Sequence, residues 1–187
     1  FSKKKGLEPM LVVTGSHLSY EHGNTINAIK KKKIKIFKKI RIIKKNNLIT
    51  DQISKLILEF SKVIQKAKPS LLLLVGDRYE TFACAIAAYY LKIKIAHIHG
   101  GETSLGSFDE KSRHSITKLS HIHFPATKNA AKKIHQMGES INAITLAGAP
   151  ALDGILSKKR SKEKSFLRLA SKFKIDLSDE IILITFH

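Results

Sequence analysis

The chain has 187 residues, 43% of them apolar, and a formal net charge of +19 at neutral pH. This length and apolar share suffice for one sizeable domain with a buried core, and no apolar run approaches the roughly 20 residues of a membrane-spanning helix. The single cysteine, Cys84, excludes an intrachain disulfide and fits a reducing cytoplasm, where we expect the protein.

The positive charge is spread along the chain rather than concentrated in one motif. Lysines occur from Lys3 to Lys174, and the densest group, at residues 30–45, alternates with isoleucine. A strongly basic chain suggests nucleic acid or an anionic membrane as a partner. The dispersed pattern favours a solvated basic surface that at most steers an anionic substrate, so we expect no nucleic acid and no membrane as partners.

Strands and helices predicted from hydrophobic spacing alternate along the chain, which is typical of a parallel α/β sheet with helices on both faces. The predicted strands are residues 10–14, 34–43, 71–75, 93–98, 122–126, 143–147 and 181–186. The predicted helices are residues 53–67, 82–91, 110–119, 128–137 and 162–173, the first of them capped by Thr50. Residues 34–43 are diluted by lysines and predict an edge strand. Residues 71–75 are continuously apolar and predict a central strand buried on both faces.

A glycine, an aspartate and an arginine close this buried strand at residues 76–78. The carboxyl ends of parallel strands form the edge at which ligands bind in open α/β sheets. Asp77 is therefore a candidate site residue, and the glycine before it permits a tight turn and a close approach by a ligand. The same aspartate could instead cap the helix that begins near Glu80, and the spacing favours neither interpretation.

The next strand ends in two histidines, two glycines and a glutamate. Residues two apart in a strand face the same side, so His97 and His99 are predicted on one face. Gly100 and Gly101 would bring backbone N–H groups near a phosphate or a sugar hydroxyl, and Glu102 adds a carboxylate. Two imidazoles and a carboxylate are also a common metal ligand set, although no motif of known metal spacing is present.

A third charged cluster begins a predicted helix at Asp109 and Glu110. Acidic residues at this position can simply offset the helix dipole. However, Glu110, Arg113, His114 and Thr117 share one helix face by their spacing of three and four. Carboxylates beside an arginine and a histidine could perform acid/base chemistry next to an anion.

Three further features carry weaker signals. His17 is a lone histidine in the loop after the first strand, a position that is more often structural than functional. Pro150 follows a strand-to-helix turn and is predicted at the first helical position. Cys84 lies within an apolar helical pattern and is predicted to be a small buried core residue.

Taken together, these residues resemble the hydrolysing UDP-N-acetylglucosamine 2-epimerases. The matching segments are residues 13–18, 76–80, 95–102, 108–110, 113–121, 148–150 and 186–187. Their order and spacing hold over almost the whole chain, so the joint match is specific. One position departs, because some relatives have a glutamate where this chain has His99.

The resemblance implies a GT-B arrangement, in which two Rossmann-like domains hold a UDP-sugar in the cleft between them. It assigns residues 1–175 to the amino-terminal Rossmann-like domain, whose first strand and phosphate-side loop we expect to be missing. It assigns residues 176–187 to the start of a truncated second domain. The chain begins at Phe1 and ends directly after an apolar run, so we expect a fragment that is inactive by itself.

The resemblance also implies a reaction. UDP is eliminated across C1 and C2 of the sugar to give a 2-acetamidoglucal, and water adds to give the C2-inverted free sugar. The product would be N-acetylmannosamine or a related amino sugar for nonulosonic or sialic acid biosynthesis. We expect a UDP-sugar as the partner, no metal or nicotinamide cofactor, and a homo-oligomer when the protein is full length.

This chemistry needs a carboxylate base, a proton donor and cations for the departing diphosphate. The candidates for proton transfer are Asp77, Glu102, Asp109 and Glu110. The candidates for substrate binding are His17, Arg78, His99, Gly100, Gly101, Arg113 and His114. Of these residues, Asp77, His99 and Asp109 are expected at one edge of the sheet, the carboxyl end of the strands.

Three alternatives remain. A GT-B glycosyltransferase would share the fold and the donor class, but it would not need the clustered acids of residues 109 and 110 together with Asp77. A basic nucleic-acid-binding domain would need aromatic or arginine-rich surface motifs, whereas tryptophan is absent here and arginine is scarce beside lysine. The same reaction on a different amino sugar, such as a diacetamido-trideoxyhexose, is the closest option.

Overall fold

The protein is described by a computed structural model that covers residues 6–156, 163–176 and 178. The strands are β1 (Leu11–Thr14), β2 (Ile36–Ile40), β3 (Leu72–Val75), β4 (Ile95–Ile98) and β5 (Ile122–Phe124). The helices are α1 (Ile26–Lys31), α2 (Ile49–Ala67), α3 (Tyr79–Tyr90), α4 (Phe108–Leu119), α5 (Lys128–Gln136), α6 (Pro150–Leu156) and α7 (Glu163–Phe173). Short 3-10 turns cover Gly15–Leu18 and Ile141–Ala143.

All strand pairs in the described residues are parallel, which confirms the predicted fold class. The strands form two sheets, one of β1 and β2 and one with the order β3-β4-β5. In the second sheet Val75 pairs with Ile98, and His97 pairs with His123. Because parallel neighbours end at the same edge, the loops that follow β3 and β4 begin side by side.

Helix α2 shows how the apolar spacing becomes a buried face. Leu56, Phe60 and Ile64 recur every four residues, and all three are buried. The helix begins one residue before the predicted Thr50 cap, and the Leu48 N–H donates to the Asp51 carboxylate at 3.0 Å. The buried face packs with the alanine-rich helix α3 and with strands β2, β3 and β4 in one core.

Cys84 lies in this core, as predicted from the apolar pattern around it. It is 8% exposed, and burial raises the pKa of its thiol to about 12. Since the thiolate is the reactive form of cysteine, this residue acts as a small apolar side chain in α3.

Strand β3 differs from the prediction that both of its faces are buried. Leu74 is buried, but Leu73 is 40% exposed and Val75 is 56% exposed. The described helices pack against the face of Leu72 and Leu74, and β3 pairs only with β4 among the described residues. In this strand, a continuous apolar run therefore does not mean that other elements cover both faces of the sheet.

The predicted strand at residues 143–147 is also wrong. Only Ile144 forms an isolated parallel bridge, with His123. Residues 144–147 still run alongside β5. The Thr145 N–H donates to the His123 carbonyl at 2.9 Å, and the Ala147 N–H donates to the Pro125 carbonyl at 3.1 Å. The 3-10 turn that ends at Ala143 leaves too few residues aligned with β5 to form a regular strand.

Helix α1 escaped the sequence prediction because Ile26 is its only buried residue, so no apolar stripe marks it. The predicted strand at residues 181–186 lies outside the described residues. Pro150 opens α6, as the turn before it predicted.

The chain divides into two compact units between Gly148 and Ala149, the second of which contains α6 and α7. This division falls earlier than the predicted domain boundary at residues 175 and 176, and the assignment of a second domain there stays a prediction. Among the described helices, none has both the length and the apolar composition needed to cross a membrane.

Candidate active site at the carboxyl edge of the sheet

The candidate site is built where β3 and β4 end. Asp77 follows β3 by two residues and His99 follows β4 directly, so both lie at the carboxyl edge of this sheet. Helix α4 brings Arg113 to the same place, where its guanidinium forms an ion pair with the Asp77 carboxylate. Residues 36 positions apart in sequence are thereby joined.

Arg113 is 5% exposed and makes two further contacts. It donates to the backbone carbonyl of Glu102 at 2.8 Å and to the Ser104 hydroxyl at 3.1 Å. The planar guanidinium suits such a set of fixed acceptors. Arg113 therefore ties the end of β3 to the loop after β4, and its substrate-binding role stays a prediction.

The carboxylate of Asp77 does not cap helix α3. That helix begins at Tyr79 with Arg78 in the cap position, and no side chain bonds to its first N–H groups. Of the two interpretations of Asp77 that the sequence allowed, the capping one is wrong. Asp77 is instead the anionic partner of a buried cation.

His97 and His99 do not share a face, contrary to the prediction, because the strand ends between them at Ile98. His99 has a φ of 65°, which turns its backbone out of the extended conformation. Its Nδ1 lies 3.1 Å from the Oε1 atom of Glu102. The described residues contain no group of three metal-ligating side chains, so the structure does not assemble the metal ligand set that the sequence left open.

His97 is fully buried, and it is hydrogen-bonded to the turn that contains Asp77. Its Nε2 lies 2.8 Å from the carbonyl of Gly76, and its Nδ1 lies 3.3 Å from the Thr117 hydroxyl. Burial lowers the pKa of His97 to about 4, and the contact with Gly76 only partly opposes this shift. The imidazole is neutral at pH 7, with Nε2 donating to the carbonyl.

Acid should destabilise the protein through His97. The unfolded chain takes up this proton near pH 6.5 and the folded protein only near pH 4, so protonation favours unfolding. The contribution is complete above pH 6.5, and about 3 kcal/mol of stability is lost as the pH falls towards 4. Burial also lowers the pKa of His123, which acts in the same direction.

Urea unfolding at several pH values between 7 and 4 measures this effect. Many groups contribute to acid denaturation, so the comparison is with His97→Gln, whose amide can still donate to Gly76. The wild type should lose more stability than the variant over this range. Parallel curves for the two proteins would show that His97 does not couple folding to pH.

Glu110 and His114 lie on the side of α4 that faces α5 and the loop after β4. Glu110 accepts from the Ser104 N–H at 3.3 Å, and its Oε1 lies 3.4 Å from His114 Nε2 and 4.0 Å from Lys133 Nζ. Lys133 also bonds to the Thr103 hydroxyl. These contacts give Glu110 a structural role in holding the loop, and the catalytic and binding roles assigned to Glu110 and His114 stay predictions.

Gly100 and Gly101 are both buried against protein atoms. A Cβ on Gly100 would lie 2.9 Å from His97 Nδ1, and a Cβ on Gly101 would lie 2.3 Å from the carbonyl oxygen of Ala130. Internal packing thus explains why neither position has a side chain. Their role in binding a phosphate or a sugar hydroxyl stays a prediction.

Arg78 donates to both carboxylate oxygens of Glu80, at 3.0 and 3.2 Å. This hydrogen bonding raises the pKa of the guanidinium, and the negative charge of Asp109 contributes in the same direction. Asp109 itself is exposed at the start of α4. Glu80 is buried against Gly15, which brings the loop after β1 close to the start of α3.

His17 is exposed in the 3-10 turn after β1, and its Nδ1 lies 2.6 Å from the Thr25 hydroxyl. The structure gives it this local partner and does not bring it into contact with the other site residues. Sequence reasoning missed Ser104 and Lys133, which hold the loop after β4. No local signal marks them, because their partners lie 9 and 30 residues away.

Residues 1–187 match the family described as UDP-N-acetylglucosamine 2-epimerase. A UDP-N,N'-diacetylbacillosamine 2-epimerase (hydrolyzing) of Legionella pneumophila is 37% identical over 99% of this chain and 49% of the relative. A GDP/UDP-N,N'-diacetylbacillosamine 2-epimerase (hydrolyzing) of Campylobacter jejuni is 34% identical over 98% of this chain and 47% of the relative. The chain therefore spans about half the length of these curated relatives.

Solved structures agree with the fold. The UDP-GlcNAc 2-epimerase of Neisseria meningitidis, solved with UDP-GlcNAc, superposes with a TM-score of 0.81 at 20% identity over 95% of this chain and 48% of that one. The predicted Rossmann-like half of a GT-B architecture is thus confirmed. With a family match along its entire length, the chain belongs to the UDP-N-acetylglucosamine 2-epimerase family.

Proposed function

We propose that the complete protein is a hydrolysing 2-epimerase, which eliminates UDP from a UDP-linked 2-acetamido sugar and hydrates the resulting glycal to the C2-inverted free sugar. The observation that supports this most directly is the cluster at the carboxyl edge of the sheet. The Arg113 guanidinium contacts the Asp77 carboxylate and the Glu102 backbone carbonyl there, while Arg78 precedes α3 and Asp109 lies in the first turn of α4.

The chemistry explains why such a cluster is needed. The C2 proton of the sugar is not acidic, so its removal must be coupled to departure of the diphosphate from C1. A base must take the proton, an acid must return one to the opposite face, and cations must stabilise the leaving group. Carboxylates and cations at one edge of the sheet can supply all three functions.

The carboxylates divide by environment. Asp77 is held by the buried Arg113, which suits a fixed charge that orients the sugar. Asp109 is exposed and can reach a bound ligand. Glu102 and its neighbour His99 are partly exposed, so they too can contact a substrate. Arg78, although paired with Glu80, is the exposed cation for the diphosphate.

The printed names of the two relatives support a UDP-linked sugar with acetamido groups, and both relatives are described as hydrolysing. UDP-N-acetylglucosamine and a UDP-linked diacetamido-trideoxyhexose both fit this chemical class. We place the product in nonulosonic acid biosynthesis in the cytoplasm, and we propose that the complete enzyme is a homo-oligomer.

The activity belongs to the complete enzyme, by which we mean this chain together with the remaining half that the curated relatives possess. Incubating it with each UDP-sugar in heavy water and following the reaction by proton NMR tests the proposal. We expect free UDP, a free C2-inverted amino sugar and deuterium at C2 of the product, because the original proton exchanges with solvent.

Other outcomes separate the alternatives. A C2-inverted sugar that stays attached to UDP would identify a non-hydrolysing epimerase. Transfer of the sugar to an added acceptor would identify a glycosyltransferase. A free product that keeps its original hydrogen at C2 would exclude the elimination route.

A further inference from the structure

His99 has a backbone conformation that residues other than glycine rarely adopt. Its φ of 65° lies in the left-handed region, directly after the last residue of β4. A left-handed non-glycine residue costs free energy, because Cβ approaches the neighbouring backbone. Such strain persists only where the surrounding structure enforces it, and it concentrates at functional sites.

The surroundings of His99 do enforce it. The His99 N–H donates to the carbonyl of Phe124 in β5 at 3.2 Å, and the carbonyl of Ile98 accepts from Gly76 in the turn after β3 at 3.1 Å. The next residue, Gly100, is packed against His97. The peptide that precedes His99 is thus hydrogen-bonded both to β5 and to the turn after β3, and the residue that follows His99 is buried against His97. The imidazole lies at the carboxyl edge of the sheet.

The imidazole of His99 is fixed by Glu102. Its Nδ1 lies 3.1 Å from Glu102 Oε1, and the backbone carbonyl of Glu102 is in turn bonded to Arg113 at 2.8 Å. The side chains of His99 and Glu102 are 26% and 38% exposed, so the pair can be reached from solvent. Among the described residues, no group forms a hydrogen bond or ion pair with the other ring nitrogen, Nε2.

We propose that His99 and Glu102 act as an acid/base pair in which His99 Nε2 accepts the C2 proton of the sugar. Glu102 is a positioning residue, because its carboxylate accepts the Nδ1–H bond and thereby keeps the lone pair on Nε2. This assignment rests on the proposed 2-epimerase function. It reverses the two roles predicted from sequence, where Glu102 was catalytic and His99 bound substrate.

The step balances within the elimination. The C2–H electron pair forms the C1=C2 double bond while the C1–O bond breaks, and its electrons leave on the diphosphate oxygen of UDP. The proton moves to His99 Nε2 and then to solvent. Asp77 is less suited to this transfer, because its carboxylate is already paired with the buried Arg113 guanidinium.

Because φ is positive at His99, the variant His99→Gly in the complete enzyme removes the imidazole without straining the backbone. Glycine adopts this backbone conformation without strain, so the fold should be preserved. We expect kcat to fall by about 10²-fold or more with KM changed less than about threefold, and added imidazole to restore the rate at least about tenfold. The matched control is Lys92→Gly, which replaces another left-handed residue (φ 57°) at the opposite end of β4.

The control should keep wild-type kcat, and both glycine variants should unfold at similar temperatures. Glu102→Gln should lower kcat in the wild type but have no further effect in the His99→Gly background with imidazole, because a positioning residue acts only through its partner. A His99→Gly enzyme with near-wild-type kcat would overturn the pair while leaving the epimerase function intact. So would a variant that unfolds far below Lys92→Gly and gains nothing from imidazole. A wild-type enzyme that releases neither UDP nor free sugar would reject the proposed function itself.

Discussion

Replacing Asp77 with asparagine should lower kcat of the complete enzyme by about 10²-fold or more, in line with the usual size of acid/base and charge contributions. The substitution changes the shape of the side chain very little, but it removes the negative charge from the carboxyl edge of the sheet. It also leaves Arg113, which is 5% exposed, without its anionic partner. Steady-state kinetics with the substrate identified by NMR measure the loss.

The matched control addresses whether any change of charge would have this effect. Replacing Lys30, Lys31, Lys32 and Lys33 with glutamine removes four charges from a solvated surface around the end of α1. We expect kcat to change less than about threefold, with a modest rise in KM at low salt if these lysines steer the anionic substrate. Equal losses of kcat from the lysine set and from Asp77→Asn would contradict the assignment of function to the sheet edge.

Arg113→Ala should destabilise the protein by about 3 to 5 kcal/mol, the usual cost of removing one partner from a buried ion pair. The variant leaves the Asp77 carboxylate unpaired and removes the donors to the Glu102 carbonyl and the Ser104 hydroxyl. The loop after β4 then loses its main connection to β3. Chemical denaturation of wild type and variant at pH 7 measures the difference in free energy of unfolding.

Two controls separate the loss of charge from the loss of geometry. Arg113→Lys keeps the positive charge but cannot present the planar fork of donors, so its stability should fall between those of the wild type and Arg113→Ala. Lys62→Ala removes an exposed ion pair with Glu59, and such pairs contribute little to stability. The prediction fails if Arg113→Ala is as stable as Lys62→Ala.

Local patterns in the sequence were sufficient for much of the fold. The spacing of Leu56, Phe60 and Ile64 predicted α2, and the alternation of strands and helices predicted parallel pairing. These signals depend on contacts between residues a few positions apart, or on which side of an element is apolar. They did not predict features that depend on the packing of distant elements. An example is the second face of β3, which the described helices leave uncovered.

The sequence also placed the candidate residues at the ends of strands, because the order of motifs along the chain determines which loop carries each of them. By itself it identified the three charged clusters after β3, after β4 and at the start of α4, and their resemblance to a known family predicted the family of this chain. It could not say which charge pairs with which. That choice depends on distances in space between loops that are far apart in the chain.

The tertiary structure made that choice through the register of the strands and the position of α4. Because Val75 pairs with Ile98, the turns after β3 and β4 lie side by side, and α4 can then bring Arg113 to Asp77 across 36 residues. The left-handed φ of His99 was equally beyond the sequence, because histidine prefers a negative φ and the hydrogen bonds of the preceding peptide come from Gly76 and Phe124, which are distant in the chain. Local chemistry thus determined the residues available to the site, and long-range packing decided their partners.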